Sequence, residues 1–330
     1  MRKNLFPGIY RRIQVLLLSC FFSLGASGKV LTVSNSELTA AQYTSLQAAI
    51  TAALAGDTIY VHGSQTSYGD ALVNKRLVLI GPGYTPLNPT TPSARIENIT
   101  LDTLSGLSGA GRTFIMGLSI GNIGLSNNYQ SMKCVDITVK RNWITGYIYM
   151  GNYGPIRNWL IEENNVSAIL PNFDQPNSGN NLLRNNIIGY MPSMARAMVV
   201  NNVINTSTIF NECTISNNIF MVPESDNTSG FSTFNNNLFS SNVNFNSGTS
   251  TLVGTIIGDP LLVGSGNYHL QAGSIAIGAG TDGKDLGIYG GSGFTDGGIP
   301  PIPSVYFYNI SPNYIPVGGS LKITVKARNQ

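Results

Sequence analysis

Four short strings between residues 182 and 239 decide how this chain folds. Each joins an apolar strand, a pair of asparagines and a second apolar step: 182–187 (LLRNNI), 199–204 (VVNNVI), 215–220 (ISNNIF) and 234–239 (FNNNLF). The second asparagine recurs after 16, 16 and 19 residues, and earlier strings at 139–144 and 161–166 fit the same frame at spacings of 23 and 21. A repeat of about 20 residues with a fixed polar position is typical of a solenoid, in which one turn of chain forms one rung.

The asparagine indicates which kind of solenoid forms. Parallel strands of adjacent rungs lie ~4.8 Å apart, so equivalent side chains stack and each amide can donate to the next. Asparagine also tolerates the left-handed backbone of a sharp corner. The sequence therefore predicts an all-β fold, a parallel β-helix with about ten or eleven rungs. The predicted ladder consists of Asn142, Asn165, Asn186, Asn202, Asn218 and Asn237.

Composition agrees with one elongated domain. Only 11% of the 330 residues are charged and 37 are glycine, which is too apolar for disorder. A net charge of +3 provides no basic surface for nucleic acid. We expect a monomer with a β-helix over 29–298, followed by a Pro-linked tail over 299–330. Two strands are predicted in the tail, which is a docked extension, the start of a further module or an export or attachment signal.

The first 28 residues have the pattern of a secretory signal. Arg2, Lys3, Arg11 and Arg12 precede an apolar run, and Ala26-Ser27-Gly28 is a small-residue cleavage site. The run is too short to span a bilayer, so no transmembrane segment is expected in the mature chain. The protein is predicted to be secreted or located in the cell envelope. Lipidation at Cys20 is the alternative, but the apolar run continues beyond that cysteine.

Both ends of the repeat region resemble a known family. Residues 42–56 predict a helix that covers the first rung, and strands follow it. The segments 45–50, 55–61 and 76–81 are similar to the opening of right-handed parallel β-helix proteins of the pectin-lyase-like superfamily, and 259–290 resembles the closing segment of bacterial members. The resemblance covers about 40–292 and implies the fold. It implies no single activity, because the superfamily includes lyases, hydrolases, epimerases and non-enzymatic surface proteins.

The ladder frame assigns neighbouring positions to faces. The columns three before and one after each ladder asparagine are expected to point inward. This expectation includes Trp143, and it makes Glu162 a carboxylate in an apolar column. The column two before points outward and carries Lys140, Glu163 and Arg184 on successive rungs.

These charges suggest a catalytic alternative. Polysaccharide lyases on this fold neutralise a uronate carboxylate with a cation and use Lys or Arg as the base. The candidate residues are Lys140, Arg141, Glu162, Glu163 and Arg184. A surface ion-pair ladder explains the same residues. No metal site or cofactor is predicted, and Ca²⁺ would enter only under the lyase alternative, on acidic glycans.

Aromatic residues support the leading hypothesis, a non-catalytic surface protein that binds polysaccharide or serves as a structural or adhesive element. Aromatic faces stack on sugar rings, and the candidates for binding a cell-surface glycan are Tyr147, Tyr149, Tyr153, Trp159 and Tyr190. Packing of loops on the stack is the alternative for each. Cys134 and Cys213 lie about four rungs apart, too far for a disulfide.

Overall fold

The computed structural model contains two long parallel sheets. It describes residues 28–85, 92–102, 109–125, 134–150, 156–171, 178–222, 225–226, 230–241, 244–245, 249–264, 266–311, 318–320 and 322–328. Residues 1–27 of the predicted signal segment lie outside these residues.

In each long sheet the strands follow one another in chain order and pair in parallel, which makes the fold a parallel β-helix, as predicted. The eleven strands of the first sheet are Val30–Val33, Thr58–Val61, Val78–Ile80, Phe114–Met116, Thr138–Lys140, Leu160–Glu162, Asn181–Arg184, Ala197–Val200, Thr214–Ser216, Thr233–Asn235 and Thr251–Val253. The ten strands of the second sheet are Ala71–Val73, Arg95–Leu101, Ser119–Leu125, Trp143–Tyr149, Asn165–Leu170, Ile187–Tyr190, Val203–Ile204, Ile219–Phe220, Leu238–Phe239 and Ile256–Ile257.

In the described residues, four further strand pairings lie outside the two long sheets. Two are parallel, Ser193–Ala195 with Ile209–Asn211 and Ser225–Asp226 with Asn244–Phe245. Two are antiparallel, Leu262–Gly264 with Asn267–Leu270 and the tail strands Ser304–Ser311 with Lys322–Arg328. The tail pairing confirms the predicted C-terminal β-strands.

Stacked side chains fill the interior between the sheets. In the first sheet the inward column is 0–1% exposed between Ile59 and Phe234, where its members are Ile59, Leu79, Ile115, Val139, Ile161, Leu183, Val199, Ile215 and Phe234. In the second sheet the equivalent column is Ile96, Ile120, Ile144, Val166, Ile188, Ile204, Phe220 and Phe239. The predicted capping helix is Leu46–Ala52, with Ser45 as its N-cap. It adds Leu46, Ala49 and Ile50 to the same core, because its apolar face is turned toward the first rungs.

The asparagine ladder forms where the chain passes from the first sheet to the second. Amide-to-amide hydrogen bonds of 2.9–3.1 Å connect six buried asparagines in sequence: Asn142, Asn164, Asn186, Asn202, Asn218 and Asn237. Each acceptor oxygen also receives the backbone N–H of the preceding ladder residue, as Asn202 Oδ1 does from Asn186 (2.9 Å). Every ladder amide is therefore satisfied in a place that water does not reach.

The prediction of Asn165 in the ladder was wrong by one residue. Asn164 occupies the ladder, and Asn165 starts the next strand opposite Trp143 and Ile187. The rule of taking the second asparagine fails here, because Glu163 has the left-handed conformation (φ 55°) that an asparagine adopts elsewhere. The corner therefore comprises a left-handed residue and then the ladder residue, whatever the first residue is.

This correction changes the columns. Ile161 points inward and Glu162 pairs in register with Lys140 and Arg184, so Glu162 is no misfit in an apolar column. The predicted alternation of plus, minus and plus exists on the outer face, with Glu162 in the place assigned to Glu163.

The column that follows the ladder was predicted to point inward, and it points outward. Trp143 is 44% exposed, and farther along the same column Ile187, Val203, Ile219 and Leu238 are buried from outside the helix. They form a second core with Ala276, Leu286 and Ile288 of the C-terminal region. Burial alone therefore does not reveal which way these side chains point.

The C-terminal side of the second core comes from a segment that we call the strap, residues 276–299. The strap contains one 3₁₀ turn, at Asp296–Gly298. The strap runs back along the ladder corner and contacts the left-handed residue of one rung after another. The contacts are Asn236 with Ala279, Asn217 with Thr281, Asn201 with Gly287, Asn185 with Gly290, Glu163 with Thr295 and Arg141 with Ile299. The predicted closing segment thus covers a side of the stack.

Two further predictions concern the cysteines and the membrane. Cys134 and Cys213 are free and buried, as their spacing predicted. Within the described residues no helix has the length and apolar character needed to cross a bilayer.

Candidate functional site

The five predicted charged residues form one connected cluster. Lys140 Nζ lies 2.9 Å from Glu162 Oε2 and 2.9 Å from Glu163 Oε1. Arg141 Nε lies 2.8 Å from Glu163 Oε2. Arg184 Nε lies 2.7 Å from Glu162 Oε1, in an ion pair that lacks the angle of a hydrogen bond. Strand register explains the cluster, since positions 140, 162 and 184 are neighbours across the first sheet.

The strap closes over part of this cluster. Thr295 Oγ1 donates to Glu163 Oε2 (2.6 Å), and Arg141 Nη1 donates to the Ile299 carbonyl (3.0 Å). Burial by itself would raise the pKa of Glu163. Hydrogen bonds from Arg141, Thr295 and Lys140 outweigh it and hold the pKa below its ordinary value. Glu163 is therefore ionised at neutral pH and ties two rungs to the strap.

The arrangement determines what the cluster can do chemically. Both carboxylates are almost fully buried, with side chains 2% and 4% exposed, and each contacts two cations. Arg184 is the most open member, at 39%. An acidic ligand would meet mainly Arg184, because the Lys140 and Arg141 side chains are only 21% and 17% exposed. The geometry favours an ion network that joins rungs and strap.

The predicted aromatic residues divide into two groups. Tyr147, Tyr149 and Tyr190 lie on the outer face of the second sheet, and Tyr147 and Tyr190 both align with Ala168, two strand spacings (~9.6 Å) apart. Tyr147 is 42% and Tyr190 50% exposed. Trp159 was predicted to be at the surface, and this was wrong: it is 1% exposed and its indole donates to the Cys134 carbonyl (2.9 Å). Tyr153 lies outside the described residues.

A polar chain on the same face was not predicted. Asn98 Nδ2 donates to Asp70 Oδ1 (2.6 Å), Asn122 Nδ2 donates to Asn98 Oδ1 (2.8 Å), and the Tyr147 N–H donates to Asn122 Oδ1 (3.1 Å). The sequence signal for this polar chain was that Asn98 and Asn122 occupy equivalent positions in neighbouring strands. This second amide ladder leads directly to the exposed tyrosines.

A bulge directs Tyr147 outward. The strand Trp143–Tyr149 has one more residue than both of its neighbours between the aligned inward positions. Gly146 lies at this point, where a Cβ would be 2.1 Å from Asn122 Oδ1. Only glycine fits there, so the bulge and the amide ladder depend on each other. We call Trp143, Tyr147, Tyr149 and Tyr190 the aromatic face.

Both described cysteines are unreactive because of where they lie. Burial raises the pKa of Cys134 to about 12 and that of Cys213 to about 11, so neither thiol ionises at neutral pH. Among the described residues, no three His, Cys, Asp or Glu side chains are grouped to hold a metal ion.

The chain was compared with known protein families and with curated proteins. No family model matches it, and no curated protein does.

Proposed function

We propose that this protein is exported, belongs to the pectin-lyase-like β-helix proteins and binds polysaccharide without cleaving it, as a structural or adhesive element of the cell surface. The observation that carries the binding proposal is the aromatic face, in which Trp143, Tyr147 and Tyr190 are each 42–50% exposed on one sheet. Export is supported by the signal pattern of residues 1–28 and family membership by the sequence resemblance.

The chemistry of the face fits sugar rings. An exposed aromatic side chain buries the apolar face of a sugar, while amides hydrogen-bond to its hydroxyl groups. Ala168, with its small side chain, lies between Tyr147 and Tyr190 in the strand order. Rigid strands hold the rings at fixed spacing, so little conformational entropy is lost on binding.

The proposal can be tested by affinity electrophoresis of the mature protein in gels that contain soluble polysaccharides, both neutral and acidic. We expect retardation by at least one of them. Tyr147→Ala and Tyr190→Ala should each weaken retardation about tenfold, as for the loss of an aromatic anchor.

Phe231→Ala is the matched control, because Phe231 is 75% exposed at another corner of the solenoid. This variant should migrate like the wild type in every gel. Unretarded migration of the wild type in all gels would exclude polysaccharide binding. Equal loss in the Phe231 variant would indicate nonspecific adsorption.

A second candidate function, polysaccharide lyase, is favoured by the gathering of Lys140, Arg141 and Arg184 beside two carboxylates. Its test follows the absorbance of the unsaturated product after incubation with acidic polysaccharides, with and without Ca²⁺. If the protein is a lyase, the unsaturated product should form with the wild type and be absent with Lys140→Ala or Arg184→Ala. Retention of a glycan without any product supports the first proposal.

A further inference from the structure

The strap brings a second group of residues against the aromatic face. The Gly297 carbonyl accepts hydrogen bonds from the N–H groups of Tyr84 (2.8 Å) and Thr85 (3.0 Å). The Tyr84 ring lies against Gly298, where a Cβ would be 2.4 Å from the ring, and its centroid is 6.4 Å from that of Trp143. Tyr84 is thus held between the strap and the exposed tryptophan.

An exposed carboxylate, that of Asp296, directly precedes the Gly297 that binds Tyr84. The Asp296 side chain is 70% exposed, and its Oδ1 accepts a hydrogen bond from Tyr289 Oη (2.8 Å). Its Oδ2 is 3.7 Å from His269 Nε2, which is beyond hydrogen-bond distance. The Tyr289 ring stacks on His269, with centroids 3.8 Å apart. Within the described part of the chain, Asp296 Oδ2 therefore has no hydrogen-bond donor.

Both phenols near this carboxylate remain protonated. Burial, and next the charge of Asp296, raises the pKa of Tyr84 to about 12. Burial and the hydrogen bond to Asp296 raise the pKa of Tyr289 as well. The neutral Tyr84 hydroxyl thus lies near a carboxylate that can accept, whereas the Tyr289 hydroxyl already donates to Asp296 Oδ1.

We infer that Asp296 and Tyr84 form a subsite that binds the hydroxyl groups of a neutral sugar stacked on Trp143. The inference rests on the proposed glycan-binding function and names its ligand class. A carboxylate with a free oxygen is a strong acceptor for sugar hydroxyls, and the adjacent exposed ring supplies the stacking surface.

Charge selects against acidic glycans at this subsite. A uronate would face Asp296, and nearby cations already have partners. Arg141 binds Glu163 and the Ile299 carbonyl, and Lys284 donates to the Gly291 carbonyl (2.7 Å). Like charges in contact cost free energy unless a cation compensates them. The strap therefore contributes specificity as well as cover.

The experiment compares retardation of the full mature chain in gels with a neutral galactomannan and with polygalacturonate. We expect stronger retardation by the neutral polymer. Trp143→Ala and Asp296→Asn should each weaken this retardation roughly tenfold. Asp296→Asn should also increase retardation by polygalacturonate, because it removes the repelling charge.

Glu212→Gln is the matched control for Asp296→Asn, because it removes an exposed carboxylate at a different corner. This variant should be retarded like the wild type in both gels. Stronger retardation by polygalacturonate than by galactomannan, or an Asp296→Asn variant that behaves like the wild type, would overturn the inference. In those cases the Tyr147 and Tyr190 variants would still test the general glycan-binding function. Absence of retardation in both gels would contradict the inference.

Discussion

Two corners of the solenoid have the same backbone and similar side chains, yet among the residues that the structure describes the strap covers only one of them. The covered corner has left-handed residues at Arg141, Glu163, Asn185, Asn201, Asn217 and Asn236, with φ of 47–59°. The open corner has them at Asp136, Asn158, Asn180, Arg196 and Glu212, with φ of 49–60°. The local conformation favours asparagine at both.

Their surroundings differ. At the covered corner Asn185 donates to the strap carbonyls of Ile288 and Gly290, both at 2.8 Å, and Asn185 is 1% exposed. At the open corner Asn158 and Asn180 are exposed to solvent. The left-handed requirement explains the asparagines, and the strap determines which of them become structural.

The largest difference in free energy of unfolding between the two corners is expected at the residue that follows each left-handed residue. Asn202→Ala removes an acceptor of two hydrogen bonds from Asn186 and a donor to the Leu183 and Val200 carbonyls. Buried groups left unsatisfied cost about 1–3 kcal/mol each, so we expect a loss of about 4 kcal/mol. Thermal and denaturant unfolding would measure it.

Asn181→Ala is the equivalent change at the open corner. Asn181 accepts one hydrogen bond, from the backbone N–H of Trp159 (3.0 Å), and donates to the Ile156 carbonyl (3.3 Å). We expect Asn181→Ala to lower the free energy of unfolding by about half as much as Asn202→Ala does. If the two variants unfold at the same temperature, the ladder adds nothing beyond single hydrogen bonds.

The second difference concerns two ion pairs of the same kind. Arg141–Glu163 and Arg196–Glu212 each join left-handed residues on adjacent rungs. Glu163→Gln leaves the largely buried Arg141 without its anion and removes one of the two anions that contact Lys140, which should cost about 3 kcal/mol. Glu212→Gln breaks an exposed pair and should cost less than about 1 kcal/mol. Equal losses in urea denaturation at pH 7 would show that the strap does not strengthen the pair.

The pH dependence gives a smaller effect with a defined sign. The folded-state pKa of Glu163 is lower than the ordinary value of 4.5, so its stabilisation is complete above that value. Stabilisation is lost as the pH falls through the lower folded-state pKa. The difference in melting temperature between wild type and Glu163→Gln should therefore shrink from pH 7 to pH 3. A difference that stays constant with pH would assign the effect to packing of the side chain.

Much of this fold could be predicted from repeat spacing. Apolar alternation identified the inward columns, and the asparagine pairs identified the corner. The register failed at Glu163-Asn164-Asn165, where a charged residue adopts the left-handed conformation. A frame that aligned Ile161 with Leu183 would have found it, because inward positions are more constrained than corner positions.

The site was harder to predict because it depends on contacts between distant parts of the chain. Ile187, Val203 and Trp143 occupy the same outward column, and only the strap distinguishes them. No local pattern indicates that residues 276–299 return along the corner. Tyr147 and Tyr190 were among the predicted binding residues, and both are exposed.

The smallest effect separates the contribution of the strap contacts to stability from that of the left-handed backbone. Asn185→Gly and Asn180→Gly place glycine at equivalent left-handed positions (φ 52° and 54°), so the backbone contribution is the same in both. Asn185→Gly also loses the hydrogen bonds to Ile288 and Gly290, and should be about 1–2 kcal/mol less stable than Asn180→Gly. Hydrogen exchange should accelerate at the strap only in Asn185→Gly, because these bonds hold the strap to the corner. Matching stability and matching exchange in the two variants would mean that the second core alone, without the asparagine amides, keeps the strap in place.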